Sequence, residues 1–304
     1  EFGRRPVIRD GKTFITADNV VFDDSSHTSH ARGNVIIRDS AQGTTIVAGE
    51  VFRDNDKERM LAVGKPLMII KQEDDSIYIT ADTLFSARLT DLYGIKDSLV
   101  KDTVKGTKVV TVNDKDSTNR YFEAYRHVRI FSDSMQAVCD SLFYSFKDST
   151  FRLFQGPVIW SKNSQITGDT VWLFTKNKKA DRVKVYENSF LVSELDPGIY
   201  NQVKSTRMDG YFKDGSIDSV RAAGFAECIY YIQDEDSAYT GINESKCDII
   251  DIYFAKEELR KVVFRSSVTG TIWPMRQKDP GEMRLENFKW LESRRPKTKF
   301  ELFE

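Results

Sequence analysis

The residues best suited to chemistry are few and scattered. His27-x-x-His30 has the spacing of a metal-binding pair, but no third ligand stands near it in a convincing pattern and the surrounding stretch is polar. The expectation is no metal site. His127 lies between Arg126 and Val128 in an alternating run and reads as a strand residue. Three cysteines, Cys139, Cys228 and Cys247, make no disulfide framework. Cys228 and Cys247 could bridge if they lie on neighbouring strands. The simpler reading is three small buried apolar side chains. Paired acids such as Asp74-Asp75 and Glu257-Glu258 fit solvated turns. The sequence holds no nucleophile elbow, phosphate loop or dinucleotide fingerprint. Catalysis would need distant acids to converge, as on a polysaccharide-cleaving parallel β-solenoid. Frequent short turns speak against that solenoid, because parallel neighbours need long crossovers. The chain therefore reads as no enzyme and needs no cofactor.

The elements that would position any site are strands. Alternation of apolar and polar residues runs through the chain, for instance over 107–112 and 121–131, and helical periodicity is nearly absent. Asp-Ser pairs punctuate the strands at 75–76, 97–98, 116–117, 133–134, 148–149, 218–219 and 236–237. Their short side chains bond the local backbone and close turns. As calcium loops they fail, since no loop combines several spaced acids with a closing Glu. A formal net charge of −1 gives the chain no electrostatic footprint for nucleic acid. No apolar run approaches the ~20 residues of a membrane-spanning helix.

Two longer patterns repeat. The first, apolar-x-small-Asp-x-apolar, appears at Ile15–Val20, Ile79–Leu84 and Ile166–Val171, with weaker copies at Ala137–Leu142 and Ser245–Ile250. Ile46 to Val51 is a copy with the acid shifted by one place. The second is Gly-x-x-apolar leading into a strand: Gly33-Asn34-Val35, Gly64-Lys65-Pro66-Leu67, Gly156-Pro157-Val158 and, more weakly, Gly224-Phe225-Ala226. The two alternate with a period of about 30 residues, the signature of a stacked repeat array. Asp279-Pro280-Gly281 then marks a turn. Met283, Leu285, Phe288 and Leu291 are spaced for one face of a short helix over 282–291.

The alternation of "ITAD"-type with "GNV"- and "GKP"-type strands resembles the organic-solvent-tolerance A-like (OstA-like, LptA) family. These are periplasmic proteins of lipopolysaccharide transport, related to LptC and the N-terminal domain of LptD. The resemblance is carried by Ile15–Val20, Ala31–Ile37, Ala62–Ile69, Ile79–Leu84 and Gly156–Trp160. It covers residues 13–175 well and fades towards 274. It implies an all-β, elongated antiparallel open β-jellyroll of ~30-residue strand-pair repeats; the short C-terminal helix lies outside the family's pattern and reads, from its spacing, as a cap or tail. The expected division is 1–195 and 196–275 for stronger and weaker repeats, and 276–304 for a C-terminal cap or tail. The implied function is a non-catalytic, periplasmic, lipid-binding protein whose export signal has been removed. It would carry or bridge lipopolysaccharide, or a related glycolipid, between inner and outer membranes. Expected partners are other Lpt-type transport components, together with end-to-end self-association.

A sheet folded over on itself needs one apolar face. The expected inner, lipid-binding set is Val35, Ile37, Leu67, Ile69, Leu84, Val128, Ile130, Leu142, Val158, Trp160, Val171 and Leu173. Ile15, Ala17, Ile79, Ala81 and Phe85 have the opposite parity and are apolar too, so alternation leaves the inward face open. A fully packed interior would instead suit a structural envelope scaffold, or a protein-interaction module pairing through β-edges.

Overall fold

The computed structural model describes residues 5–40, 43–71, 75–93, 118–176, 179–213, 216–255 and 258–303. The alternating run at 107–112 and the Asp-Ser pairs at 97–98 and 116–117 lie outside the described residues. The chain is all-β: among the described residues 21 strands join in one antiparallel sheet. The only α-helix among the described residues is a single turn at Leu89–Tyr93. Two compact units divide the chain. Unit 1 holds residues 1–128, 141–151 and 302–304, and unit 2 holds 129–140 and 152–301.

The strands run in order β1 (Val7–Asp10), β2 (Thr13–Thr16), β3 (Asn19–Asp23), β4 (Thr28–Asp39), β5 (Thr44–Asp54), β6 (Arg59–Val63), β7 (Leu67–Lys71), β8 (Ser76–Thr80) and β9 (Thr83–Arg88). β10 (Arg120–Phe131), β11 (Gln136–Ser145) and β12 (Thr150–Phe154) contribute residues to both units. Unit 2 continues with β13 (Val158–Ser161), β14 (Ser164–Thr167), β15 (Thr170–Lys176), β16 (Lys179–Asp196), β17 (Ile199–Lys213), β18 (Ser216–Gln233), β19 (Tyr239–Ala255), β20 (Glu258–Arg265) and β21 (Thr269–Pro274). Short polar side chains close the turns. Asp23 Oδ1 accepts from the Ser25 amide at 2.9 Å and the Ser25 hydroxyl at 2.6 Å, which holds its carboxyl down at about 2. Asp234 Oδ1 likewise accepts from the amides of Asp236 and Ala238.

The two repeated patterns are partners at the corners where the sheet folds over. Pairs of consecutive residues with positive φ mark these corners, within β4, β10, β16 and β18 or between successive strands: Gly33-Asn34, Gly64-Lys65, Arg126-His127, Gln155-Gly156, Glu187-Asn188, Gly224-Phe225 and Ser266-Ser267. The Asp of the first pattern sits opposite the bend. Asp18 N donates to Gly33 O at 2.9 Å, and the Asp18 carboxylate accepts from Asn34 Nδ2 at 2.8 Å. Asp82 repeats this with Arg126 O and the His127 ring, Asp169 with Glu187 O and Asn188, and Asp248 with Ser266 O and the Ser267 hydroxyl. In the shifted copy Gly49 takes the place, its amide donating to Gly64 O at 3.0 Å. These bonds satisfy backbone groups that the break in the ladder would orphan. Close packing explains the small residue before the Asp: a Cβ at Gly168 would stand 2.3 Å from Val185 Cγ1. At Gly33 (φ +73) a Cβ would stand 2.5 Å from Asp18 Oδ2.

Either side of the corners the sheet carries inward rows. In unit 1 one half aligns Val20, Ala31, Val51, Ala62, Leu84 and Ala124 across β3, β4, β5, β6, β9 and β10, all 5% exposed or less. The other half aligns Ile15, Ile37, Ile46, Met68 and Ile79. In unit 2 the corresponding rows are Val171–Val185–Met208–Ala222–Ile250 and Ala137–Ile159–Ile166–Leu191–Val203–Cys228.

The helix expected over 282–291 does not form. This segment is irregular, with a 3₁₀ turn only at Glu292–Arg294. Its backbone groups are claimed by side chains of the sheet beneath. Gln202 Nε2 donates to Met283 O and its Oε1 accepts from the Leu285 amide, at 2.9 and 2.8 Å. Gln165 does the same for Lys289 O and the Leu291 amide, at 2.8 and 2.7 Å. A helix would spend those groups internally. Once buried, they are satisfied by the glutamines instead.

Candidate functional site

Each unit encloses a cavity between its two sheet halves. In unit 1 the cavity measures 420 Å³. Ile37, Ile46 and Met68 line it from one half, Met60 from the other. Its mouth is charged. Glu58 pairs with Arg88 at 2.7 Å and with Arg120 at 3.0 Å. The Arg88 hydrogen bond leads in holding the Glu58 carboxyl below the usual carboxylate range. Burial, aided by Arg53 and Arg88, pushes the Arg120 guanidinium down.

In unit 2 the cavity measures 610 Å³. Leu191, Val203 and Cys228 form one wall, and Ile252, Phe254 and Val262 the other. Lys162, Asn163, Glu194 and Gln233 stand at its polar side. Burial pushes the Cys228 thiol up to about 12, so it serves the wall as a small apolar group. All three cysteines are free and buried. Cys228 lies opposite Ser245 and Cys247 opposite Ala226, so the two are offset by two residues and do not face each other as a bridge requires.

Of the twelve expected lining residues, Val35, Ile37, Leu84, Val171 and Leu173 belong to the inward-facing rows. Val128, Ile130 and Leu142 are buried as well. Four assignments need correction. Leu67 and Ile69 lie on the outward face of β7, alternating with inward Met68 and Ile70, and Val158 and Trp160 lie on the outward face of β13. The register mark is the positive-φ pair, not the glycine. The residue directly after the pair points inward: Val35, Pro66, Val128, Pro157 and Ala226. In the two proline-containing copies Pro66 and Pro157 fill the place of Val35, which shifts the following alternation by one residue. A one-residue slip turns a whole strand over. The missed wall residues, Leu191, Val203 and Val262, sit on long strands where the acid or glycine marker is absent from the sequence.

His27 and His30 do not converge. His27 Nδ1 bonds Asp56 at 2.9 Å, which raises its pKa, and His30 Nε2 meets Glu50 at 3.1 Å. Among the described residues no three His, Cys, Asp or Glu side chains gather as metal ligands. No helix among them is long and apolar enough to cross a membrane.

The outward face of unit 2 is also built. One row across β11, β13, β14, β16, β17 and β18 reads Gln136, Trp160, Gln165, Val192, Gln202, Ile229. All six are 5% exposed or less. They are covered by residues 280–301, which cross the strands. Met283 and Leu285 pack with Val192, Ile229 and Tyr231, and Leu291 packs on Val158 and Trp160. Arg295 Nε donates to Gln136 Oε1 at 2.8 Å, and Arg129 Nη1 donates to Glu301 O at 2.7 Å.

No family model matches the chain, and no curated protein matches it. Among solved structures it is similar to LptH, the LptA-homologous periplasmic component of the conserved lipopolysaccharide transport device from Pseudomonas aeruginosa. The two are 12% identical with a TM-score of 0.33, and the match covers 50% of this chain and 83% of that one.

Proposed function

We propose that this chain is a non-catalytic lipid-binding protein of the periplasm. In this reading it carries or bridges lipopolysaccharide, or a related glycolipid, between inner and outer membranes, and acyl chains enter the space between the sheet halves. The observation that carries the reading is the 610 Å³ cavity of unit 2, whose facing walls of Leu191, Val203, Ile252 and Val262 are apolar while its edge is polar. That pairing suits a molecule with an oily part and a wet part. Each buried methylene contributes ~0.8 kcal/mol, so one alkyl chain supplies substantial affinity. The repeat motifs support the same reading through their resemblance to the OstA-like family, whose implied partners are other Lpt-type components. Val35, Ile37 and Leu84 in unit 1, with Val171 and Leu173 in unit 2, are the proposed inner contacts retained from the sequence.

The test is a photo-crosslinking residue at Val203 or Val262, with Phe225, 88% exposed at a corner, as the control position. Glycolipid adducts in cells are expected at the two wall positions and not at Phe225. Folded protein without adducts at either wall position would remove the lipid reading. An interaction module is the second reading, and one observation favours it: the outward face of unit 2 binds a peptide segment along its whole row. Mass spectrometry of the purified protein separates the two, because only a carrier brings lipid with it.

A further inference from the structure

The half of unit 2's outward face that residues 280–301 leave uncovered is cationic. Among the described residues, its three outward rows across β15 to β20 hold six cations, Arg182, Lys184, Arg207, Arg221, Lys261 and Arg265, and two acids, Asp209 and Asp251. Both acids are recessed. Their side chains are 18% and 4% exposed, whereas those of Arg207, Arg221 and Arg265 are 56%, 53% and 50% exposed. Asp251 accepts from Nε of Arg221 and of Arg265, both at 2.6 Å, and Asp209 stands 3.7 Å from Lys184 and 3.5 Å from Arg207. Each acid thus holds two cations in place, and a surplus of positive charge faces water. Tyr211 and Tyr253, 47% and 38% exposed, share a row with Arg182 and Lys261. The same three rows in unit 1, across β3, β4, β5, β6, β9 and β10, hold two cations, Arg32 and Arg59, against four acids, Asp23, Glu50, Asp54 and Glu123. In a chain of formal net charge −1, the cationic face is therefore a local arrangement of unit 2.

We infer that this face docks unit 2 onto an anionic lipid bilayer. The inference does not depend on the lipid reading of the cavity. Charge complementarity selects the occupant. Adjacent strands lie ~4.8 Å apart, so six strands spread the cations over roughly 24 Å. A single small anion meets only a few of them, while a layer of phosphate-bearing headgroups meets them all. Each guanidinium carries five N–H donors, so an arginine tied to a recessed Asp through Nε keeps further donors for phosphate oxygens. Tyr211 and Tyr253 fit the same surface. A tyrosine has an apolar ring and a polar tip, and such rings sit at the level of the headgroups. Clusters of basic residues are drawn to the negative potential of anionic lipid surfaces.

The experiment is vesicle flotation with the full chain. Vesicles of phosphatidylcholine alone are compared with vesicles that also carry phosphatidylglycerol. The chain is expected to float with the second kind and not the first, and to come off at high salt. Arg182→Glu with Lys261→Glu should lower the bound fraction severalfold, and the neutral pair Arg182→Gln with Lys261→Gln should fall between it and the unaltered chain. Arg32→Glu with Lys57→Glu makes the same change of net charge in unit 1, at side chains 63% and 60% exposed, and should leave flotation unchanged. An equal loss in that control would assign the effect to net charge and overturn the inference. Equal flotation on both kinds of vesicle would assign it to apolar contact and overturn it as well. No flotation on either also overturns it, and retention of the chain on immobilised polyglutamate would then assign the face to an acidic protein.

Discussion

Unit 1 and unit 2 treat the outward face of the same kind of sheet in opposite ways. In unit 1 the outward rows of β4, β5 and β7 present Ile36, Val47, Leu67 and Ile69, which are half-buried. In unit 2 the corresponding rows present Val158, Trp160, Val192 and Ile229, which are buried under residues 280–301. An antiparallel sheet tolerates one solvated face. What separates the units is the three glutamines. Apolar residues alone can hold a covering layer loosely. A covering peptide also brings amides and carbonyls, and these need partners once water is gone. Gln165 and Gln202 supply those partners, Gln136 accepts from the Arg295 guanidinium, and the outward rows of unit 1 have Arg38 and Thr45 where unit 2 has amides.

The largest effect should come from the floor of the covered face. Trp160→Ala is expected to cost about 3–5 kcal/mol in denaturant unfolding, whereas Ile69→Ala on the half-buried face of unit 1 should cost about 1 kcal/mol. Similar costs at the two positions would break the comparison. Next comes Gln202→Ala, which strips Met283 O and the Leu285 amide of their partner. It should cost about 2–3 kcal/mol and expose Arg284 and Lys289 to trypsin sooner, while the cleavage pattern of unit 1 stays unchanged. The smallest effect lies in unit 1. The Glu58 carboxyl is held below its ordinary 4.5 by Arg88 first, so its contribution is present above that value and is lost as pH falls through the lower folded value. Because Glu58 is nearly half exposed, screening limits this to less than ~1 kcal/mol. Glu58→Gln should flatten the loss of stability below pH 4.5. An unchanged acid profile would show that the cluster contributes nothing to folding.

Strand content, the repeat period and the corner acids were legible in the sequence, because alternation, Asp turns and small residues each act over a few positions. Asp18, Asp82 and Asp169 all stand at corners, although their function there, answering a bent neighbour about 15–45 residues away, has no local signature. Facing was not legible. Val35 and Leu67 follow similar glycine motifs, and a single inserted proline sends them to opposite sides. The expected helix at 282–291 failed for a related reason. Its apolar spacing was real, but the amides that straighten it belong to Gln165 and Gln202, far away in the chain. The glutamines themselves gave no signal, since polar residues within strands usually face water.

The bent corners have a further consequence for how the protein can be assembled and altered. The corners at Gly33, Gly64, Arg126, Glu187, Gly224 and Ser266 are closed by bonds to the adjoining strand, so each such strand pair is a brick that carries its own corner. Folding can begin at any of them and zip outwards in both directions, and unraveling should start from the ends. A lineage carrying such a chain could gain or lose length by duplicating or deleting whole bricks, with the remaining ones undisturbed.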